Sequence, residues 1–172
     1  MKKLFTLAGI VLSANAFAQG WNFQVGVGGH LWNISDQVGY GLSVNAGTTY
    51  DFNKIVGARF DFNYDFVGEE RIKRAGLQAN FHLMPLLTKA PSKFGLDVHA
   101  GLGWVNNSNA MYNDGYYFRG DDAWNRTIGL TPTLALNEKT MLTLDFTLNN
   151  NKKTESQLKN YANAVVGIRR SF

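Results

Sequence analysis

Three histidines, His30, His82 and His99, are the side chains of this 172-residue sequence best suited to proton transfer near neutral pH. A histidine acting as a base needs a nucleophile and an orienting acid within reach. His30 has such neighbours close by in the chain, Ser35 and Asp36, a set that would suit acyl transfer. Three polar residues beside a turn are nevertheless common. Each histidine also occupies a polar position of an alternating stretch, where the ordinary role is a hydrogen-bonded buried side chain. No catalytic residue is therefore expected. Asn113, Asp114, Asp121 and Asp122 lack the spacing of a calcium loop. The glycines of "VGVGGH" precede no helix and so form no phosphate loop. Neither a metal nor a cofactor is expected.

The elements that would position such residues follow from alternation. In "GARFDFNYDF", residues 57–66, Ala58, Phe60, Phe62, Tyr64 and Phe66 fall on one parity and Arg59, Asp61, Asn63 and Asp65 on the other. Period 2 sends the two sets to opposite faces of a strand. The same pattern returns in "WNFQVGVGGHLW", "VGYGLSVNAGTTYDF", "AGLQANFHL", "FGLDVHAGLGW", "TIGLTPTLAL", "MLTLDFTLN" and "YANAVVGIRRSF". Turn signals separate these stretches, as at Asn53 and Lys54. The sequence predicts eight strands of roughly ten residues joined by hairpin-type links, and an all-β fold. A meander of eight sequential strands closes most naturally into an antiparallel up-and-down barrel, which removes exposed edges.

The first residues predict export. Lys2 and Lys3, an apolar run over residues 4–12, and Ala16-Phe17-Ala18 form a secretory signal over residues 1–18, leaving residues 19–172 as one barrel domain. Its apolar run is too short to span a bilayer as a helix. The sequence holds no cysteine, so disulfides do not staple the exported chain. Losing Lys2 and Lys3 lowers the formal charge from +4 to +2, too mild a balance for nucleic-acid binding.

A soluble barrel would turn its apolar face inward around a ligand, and a membrane barrel would turn it outward to lipid. The polar face decides between them. Lysines and glutamates are placed in turns, loops and strand ends, while strand interiors hold Gly, Ser, Thr, Asn, Gln, Asp, His and Arg. Eight strands leave an interior just wide enough for side chains to fill, and glycine relieves crowding there. The polar face is thus expected inside. Rings gather at both ends of the apolar face, Trp21, Tyr50, Phe52, Phe94 and Phe172 near one rim and Tyr40, Tyr64, Phe66, Trp104 and Tyr161 near the other. Such girdles mark the two interfaces of a transmembrane barrel.

Several site expectations follow. Arg59, Asp61, Asp97, Asp145 and Arg169 share the inward parity and are expected to form a lumen ion-pair network, with Arg59 and Asp145 facing each other from opposite walls. With both termini periplasmic, the outer loops are expected at residues 33–37, 67–74, 106–124 and 149–159. The longest carries Tyr112, Tyr116, Tyr117, Phe118 and Trp124, rings suited to a contact surface.

With signal peptide, eight alternating strands and the terminus "VVGIRRSF", the chain resembles the OmpA/OmpX-type small outer-membrane barrels of Gram-negative bacteria over its whole mature length. Gly167 and Phe172 match the terminal signal read by the barrel-assembly machinery in that family; Arg170 and Val165 depart from it. The resemblance implies a monomer in outer-membrane lipid and lipopolysaccharide, with a possible surface ligand or host partner. Its expected function is envelope integrity or adhesion. Some barrels of this size modify lipids, and a deacylase or palmitoyltransferase-like enzyme is the alternative. The deacylase type uses a His-x-Ser pair, but Trp32, Met84 and Gly101 stand two residues after the three histidines.

Overall fold

A computed structural model describes residues 20–34, 37–67, 70–88, 92–107, 111–113, 116–118, 122–152 and 160–172. The alternating stretches form β1 (Gly20–Ile34), β2 (Gln37–Asp51), β3 (Val56–Val67), β4 (Glu70–His82), β5 (Phe94–Asn107), β8 (Asp122–Ala135), β9 (Thr140–Lys152) and β10 (Asn160–Ser171). These eight close into a barrel in the order β1-β10-β9-β8-β5-β4-β3-β2, with every neighbouring pair antiparallel. The seam joins β1 to β10, with Gly26 opposite Gly167. Two three-residue strands, β6 (Met111–Asn113) and β7 (Tyr116–Phe118), pair as a separate hairpin between β5 and β8. The expected signal peptide lies outside the described residues.

Turn chemistry fixes the short connections. Asn53 Oδ1 accepts from the backbone amides of Ile55 and Val56, both at 2.8 Å, and Asn137 Oδ1 accepts from that of Lys139 at 3.0 Å. Each is an Asx turn, in which the side chain mimics a backbone acceptor. Between β4 and β5 lies one helical turn, α1 (Met84–Leu87), with Pro85 in its opening turn.

Strands of 12 to 15 residues exceed the roughly 9–11 needed to span a bilayer. The outer connections are correspondingly shorter than alternation suggested. Glu70 and Lys73 belong to β4, Lys152 belongs to β9, and Arg74 and Asn149 face the lumen instead of lying in loops.

The faces are sorted as in a membrane barrel. Outward residues include Trp21, Val25, Leu77, Phe94 and Leu148, each more than half exposed. A continuous apolar wall of this kind is stable only against lipid. Inward residues are Asn, Thr, Asp, Arg, Gln and His, and most are almost fully buried. A lipocalin-like arrangement would reverse the two faces. Tyr161 corrects the expected girdle: it points into the lumen, 4% exposed, and stacks on His30 with ring centroids 4.8 Å apart. Its parity partners on β10, Asn163 and Arg169, are buried inward as well. Ile72, Val105 and Ala123 are also apolar inward residues, towards the loop end, and Val165 is one at mid-barrel opposite Asp145.

Candidate functional site

The lumen concentrates the titratable side chains of the barrel. β3 directs Arg59 across the interior to β9, where its Nη2 donates to Asp145 Oδ2. Arg59 Nη1 also reaches Thr131 Oγ1 at 3.4 Å, and its Nε lies 3.9 Å from Asp61 Oδ1. Asp61 accepts from Arg74 Nη2 at 3.0 Å, from Asn63 at 2.7 Å and from Gln78 Nε2. Asp145 accepts from Thr147 at 2.8 Å and faces His99 Nε2 at 3.3 Å, while His99 Nδ1 faces Gln78 Oε1. Two carboxylates and two guanidiniums therefore neutralise one another in a layer that crosses the barrel. Burial makes that pairing obligatory, because an isolated charge in a dry interior is costly.

Backbone spacing creates the room for these long side chains. His99 lies opposite Gly129, and a Cβ on Gly129 would collide with the imidazole. Gly101 likewise lies against Gln78. Glycine at these two positions leaves volume for the network beside it.

A second group occupies the short-turn end. Arg169 Nη1 donates to Asp97 Oδ2 at 2.5 Å, and its Nε and Nη2 donate to Gln24 Oε1 at 3.3 and 3.2 Å. His82 bridges two acids, its Nδ1 2.7 Å from Asp97 Oδ1 and its Nε2 2.9 Å from Asp51 Oδ1. This chain of charges borders a cavity of about 650 Å³ beside α1, with Lys54, Lys93 and Met84 on its walls. In barrels of this kind the short turns are periplasmic, so the cavity opens on that side.

A third group lies towards the outer end. Ser43 donates to Asp65 Oδ1, which also accepts from Asn163 at 3.1 Å. His30 Nδ1 stands 3.3 Å from Asp65 Oδ2 without hydrogen-bond alignment. The acid thus separates the serine from the histidine. A nucleophilic triad instead places the histidine between serine and acid. His30 is fully buried, and the expected neighbours Ser35 and Asp36 lie outside the described residues.

The five expected charge residues accordingly fall into two groups, Arg59, Asp61 and Asp145 in the middle, Asp97 and Arg169 below. Arg74, Gln78, His99 and His82 complete them. Arg74 falls within the outer loop expected at residues 67–74, although it shares parity with Gly76 and Gln78. Gly167 sits at the seam, with its Cα partner Gly26. Phe172 is exposed at the periplasmic rim, edge-on to Phe23 at 5.6 Å, and the Arg170 guanidinium lies 5.9 Å from its ring centroid. Tyr112 pairs with Tyr117 in the β6–β7 hairpin, which also includes Tyr116 and Phe118. Trp124 is corrected from loop to strand: it faces outward on β8 opposite Trp104, 67% exposed.

Polar lumen, lipid-facing rings and a closed eight-strand order agree with a family match over residues 4–172, to the outer membrane protein beta-barrel domain. The chain belongs to this family. It is an outer-membrane protein of the Gram-negative type. No match is found among curated protein sequences. Among solved structures, the barrel is similar to Neisserial surface protein A (13% identity, TM-score 0.68, 88% of this chain and 97% of that one). It is similar to Ail, the attachment invasion locus protein of Yersinia pestis (11%, TM-score 0.60, 91% and 100%), also solved with the heparin analogue sucrose octasulfate. The outer membrane enzyme PagL has the same fold (11%, TM-score 0.55, 87% and 98%). These identities carry the fold alone, and the fold hosts surface proteins and an enzyme alike.

Proposed function

We propose that this outer-membrane barrel is a non-enzymatic, non-conducting surface protein whose lumen serves stability and whose specific contacts are made by the outer segment between β5 and β8. The observation that carries the closed lumen is the Arg59–Asp145 contact, which joins opposite walls at mid-barrel. Charged side chains locked to each other across a narrow bore leave no free array to guide ions. Specificity then resides outside, where the β6–β7 hairpin places Tyr112, Tyr116, Tyr117 and Phe118 on the longest connection. Long outer connections with aromatic content suit contact with a host surface, a matrix or lipopolysaccharide. Export through removal of residues 1–18, insertion by the barrel-assembly machinery through Gly167 and Phe172, and a monomeric state belong to the same reading.

Planar-bilayer recordings test the lumen, and a large steady wild-type conductance would reject it. Replacing Tyr116, Tyr117 and Phe118 by serine tests the hairpin: heat-modifiable gel mobility should persist while binding to host cells or matrix is lost. Equal adhesion by the variant, or none by wild type, would reject the contact role. The enzyme alternative predicts altered acylation of lipid A in cells that express the protein, readable by mass spectrometry.

A further inference from the structure

The lipid-facing wall is uneven along β1, β10, β9 and β8. In one cross-strand row Leu31, Ala162, Leu148 and Ile128 follow one another outward-facing; in the next, Gly29, Ala164, Phe146 and Leu130. The small residues Gly29, Ala162 and Ala164 coincide at the β1–β10 seam, and the larger side chains flank them. A trough of about 580 Å³ opens at the first of these rows, on Leu31, Ala162, Leu148 and Ile128. Its outer end is walled by the next outward row, which turns polar, with Asn160, Asn150 and Arg126 on β10, β9 and β8. Asn150 Nδ2 donates to Asn160 Oδ1 at 2.6 Å.

Arg126 differs from three other outward cations of the wall. Arg71 lies over the Phe66 ring at 5.1 Å, Lys73 over Tyr64 at 6.0 Å and Arg170 over Phe172 at 5.9 Å. Arg126 has neither a ring nor an acid beside it among the described residues. An uncompensated guanidinium at the boundary of an apolar band attracts an anion more strongly than one in bulk water. Its planar fork matches phosphate oxygens in pairs.

We infer that the trough and Arg126 together bind a phosphorylated lipid of the outer leaflet, one acyl chain lying over Ala162 between Leu31 and Leu148 and the phosphate resting on Arg126. Apolar trough and cationic rim are ordered as in such a lipid, chain towards the membrane centre and headgroup towards the surface. The site is separate from the β6–β7 hairpin and stands or falls independently of the adhesion reading.

Tryptophan quenching tests it, because Trp124 lies two residues from Arg126 on the same face and Trp104 is its neighbour. The full barrel is reconstituted in phosphatidylcholine vesicles containing either brominated phosphatidic acid or brominated phosphatidylcholine at equal mole fraction. The acidic lipid should associate about two- to fivefold more strongly, the range of an exposed charge pair. Arg126→Gln and Arg126→Met should each abolish that preference, whereas Lys73→Gln should retain it. Filling the trough with Ala162→Leu should also weaken it. Equal quenching in wild type, or a preference that survives both Arg126 substitutions, would overturn the site. Equal loss with Lys73→Gln would reduce it to diffuse charge attraction. Insensitivity to the filled trough would leave a headgroup ion alone, and wild-type self-association abolished by that filling would place a second copy there; either result overturns the inference.

Discussion

Arg59 on β3 and Asp145 on β9 meet across the lumen, although their strands stand four places apart in either direction around the barrel. No strand pairing brings them together; the contact exists only because the interior is narrow. Breaking it by Arg59→Ala leaves Asp145 buried with Thr147 and His99, and removing one partner of a buried pair costs about 3–5 kcal/mol. Urea titration in detergent should show that loss, and planar bilayers should show conductance above wild type. Unchanged stability would mean that water already screens the pair.

The His99–Gly129 packing predicts a steric effect with an electrostatic outcome. Gly129→Val places a branched side chain where the imidazole lies, and overpacking of this kind costs about 1–3 kcal/mol. Displacing the ring also removes its approach to Gln78 and Asp145. The double variant Gly129→Val with His99→Ala should regain part of the lost stability in the same titration; an additive loss would refute steric coupling.

Tyr161 offers the opposite sign. Its hydroxyl is buried without a hydrogen-bond partner among the described residues, while its ring stacks on His30. Tyr161→Phe keeps the stack and discards an unsatisfied group, so stability should hold or rise by about 1 kcal/mol. Tyr161→Ala should destabilise by about 3 kcal/mol or more through the cavity it leaves. A marked loss in the phenylalanine variant would show a hydrogen bond at that hydroxyl.

The terminal ring makes a kinetic prediction. Phe172 is tied by its backbone amide to Trp21 O at 3.1 Å, yet its side chain is largely exposed. Deleting it removes little buried area, so equilibrium stability should change by less than about 1 kcal/mol. Assembly into outer membranes should slow, as pulse-chase gel mobility would show. Normal assembly kinetics would separate this terminus from the family's recognition signal.

How much was legible in the sequence depends on parity. Strict alternation alone places Arg59, Asp61, Asp145 and the aromatic columns on their correct faces. At Tyr161 ring type suggests the lipid face, but the spacing to Asn163 and Arg169 marks it as inward. The strand ends are hard to read from sequence because Arg71, Lys73, Asn149 and Asn151 have loop-like composition. Alternation continues through them, since side chains above the bilayer plane need no apolar partner. Which charges touch was less accessible. Asp97 pairs with Arg169 and not with Arg59 because of height along the barrel, a quantity set by strand stagger and absent from parity. The His82 bridge to Asp51 and Asp97 was missed for the same reason.

The Asp97–Arg169 contact joins residues 72 positions apart, one on β5 and the other on the last strand. Without β10, the other seven barrel strands hold Asp97 without its guanidinium and leave β1 without its seam partner. One strand therefore supplies both the backbone partners and the countercharge. A one-residue slip of β10 would turn Arg169 to the lipid and bring Arg170 or Ile168 inward. The interior thus acts as a proofreading device for closure: a sheet completed in the wrong register is penalised at its centre as well as along its seam.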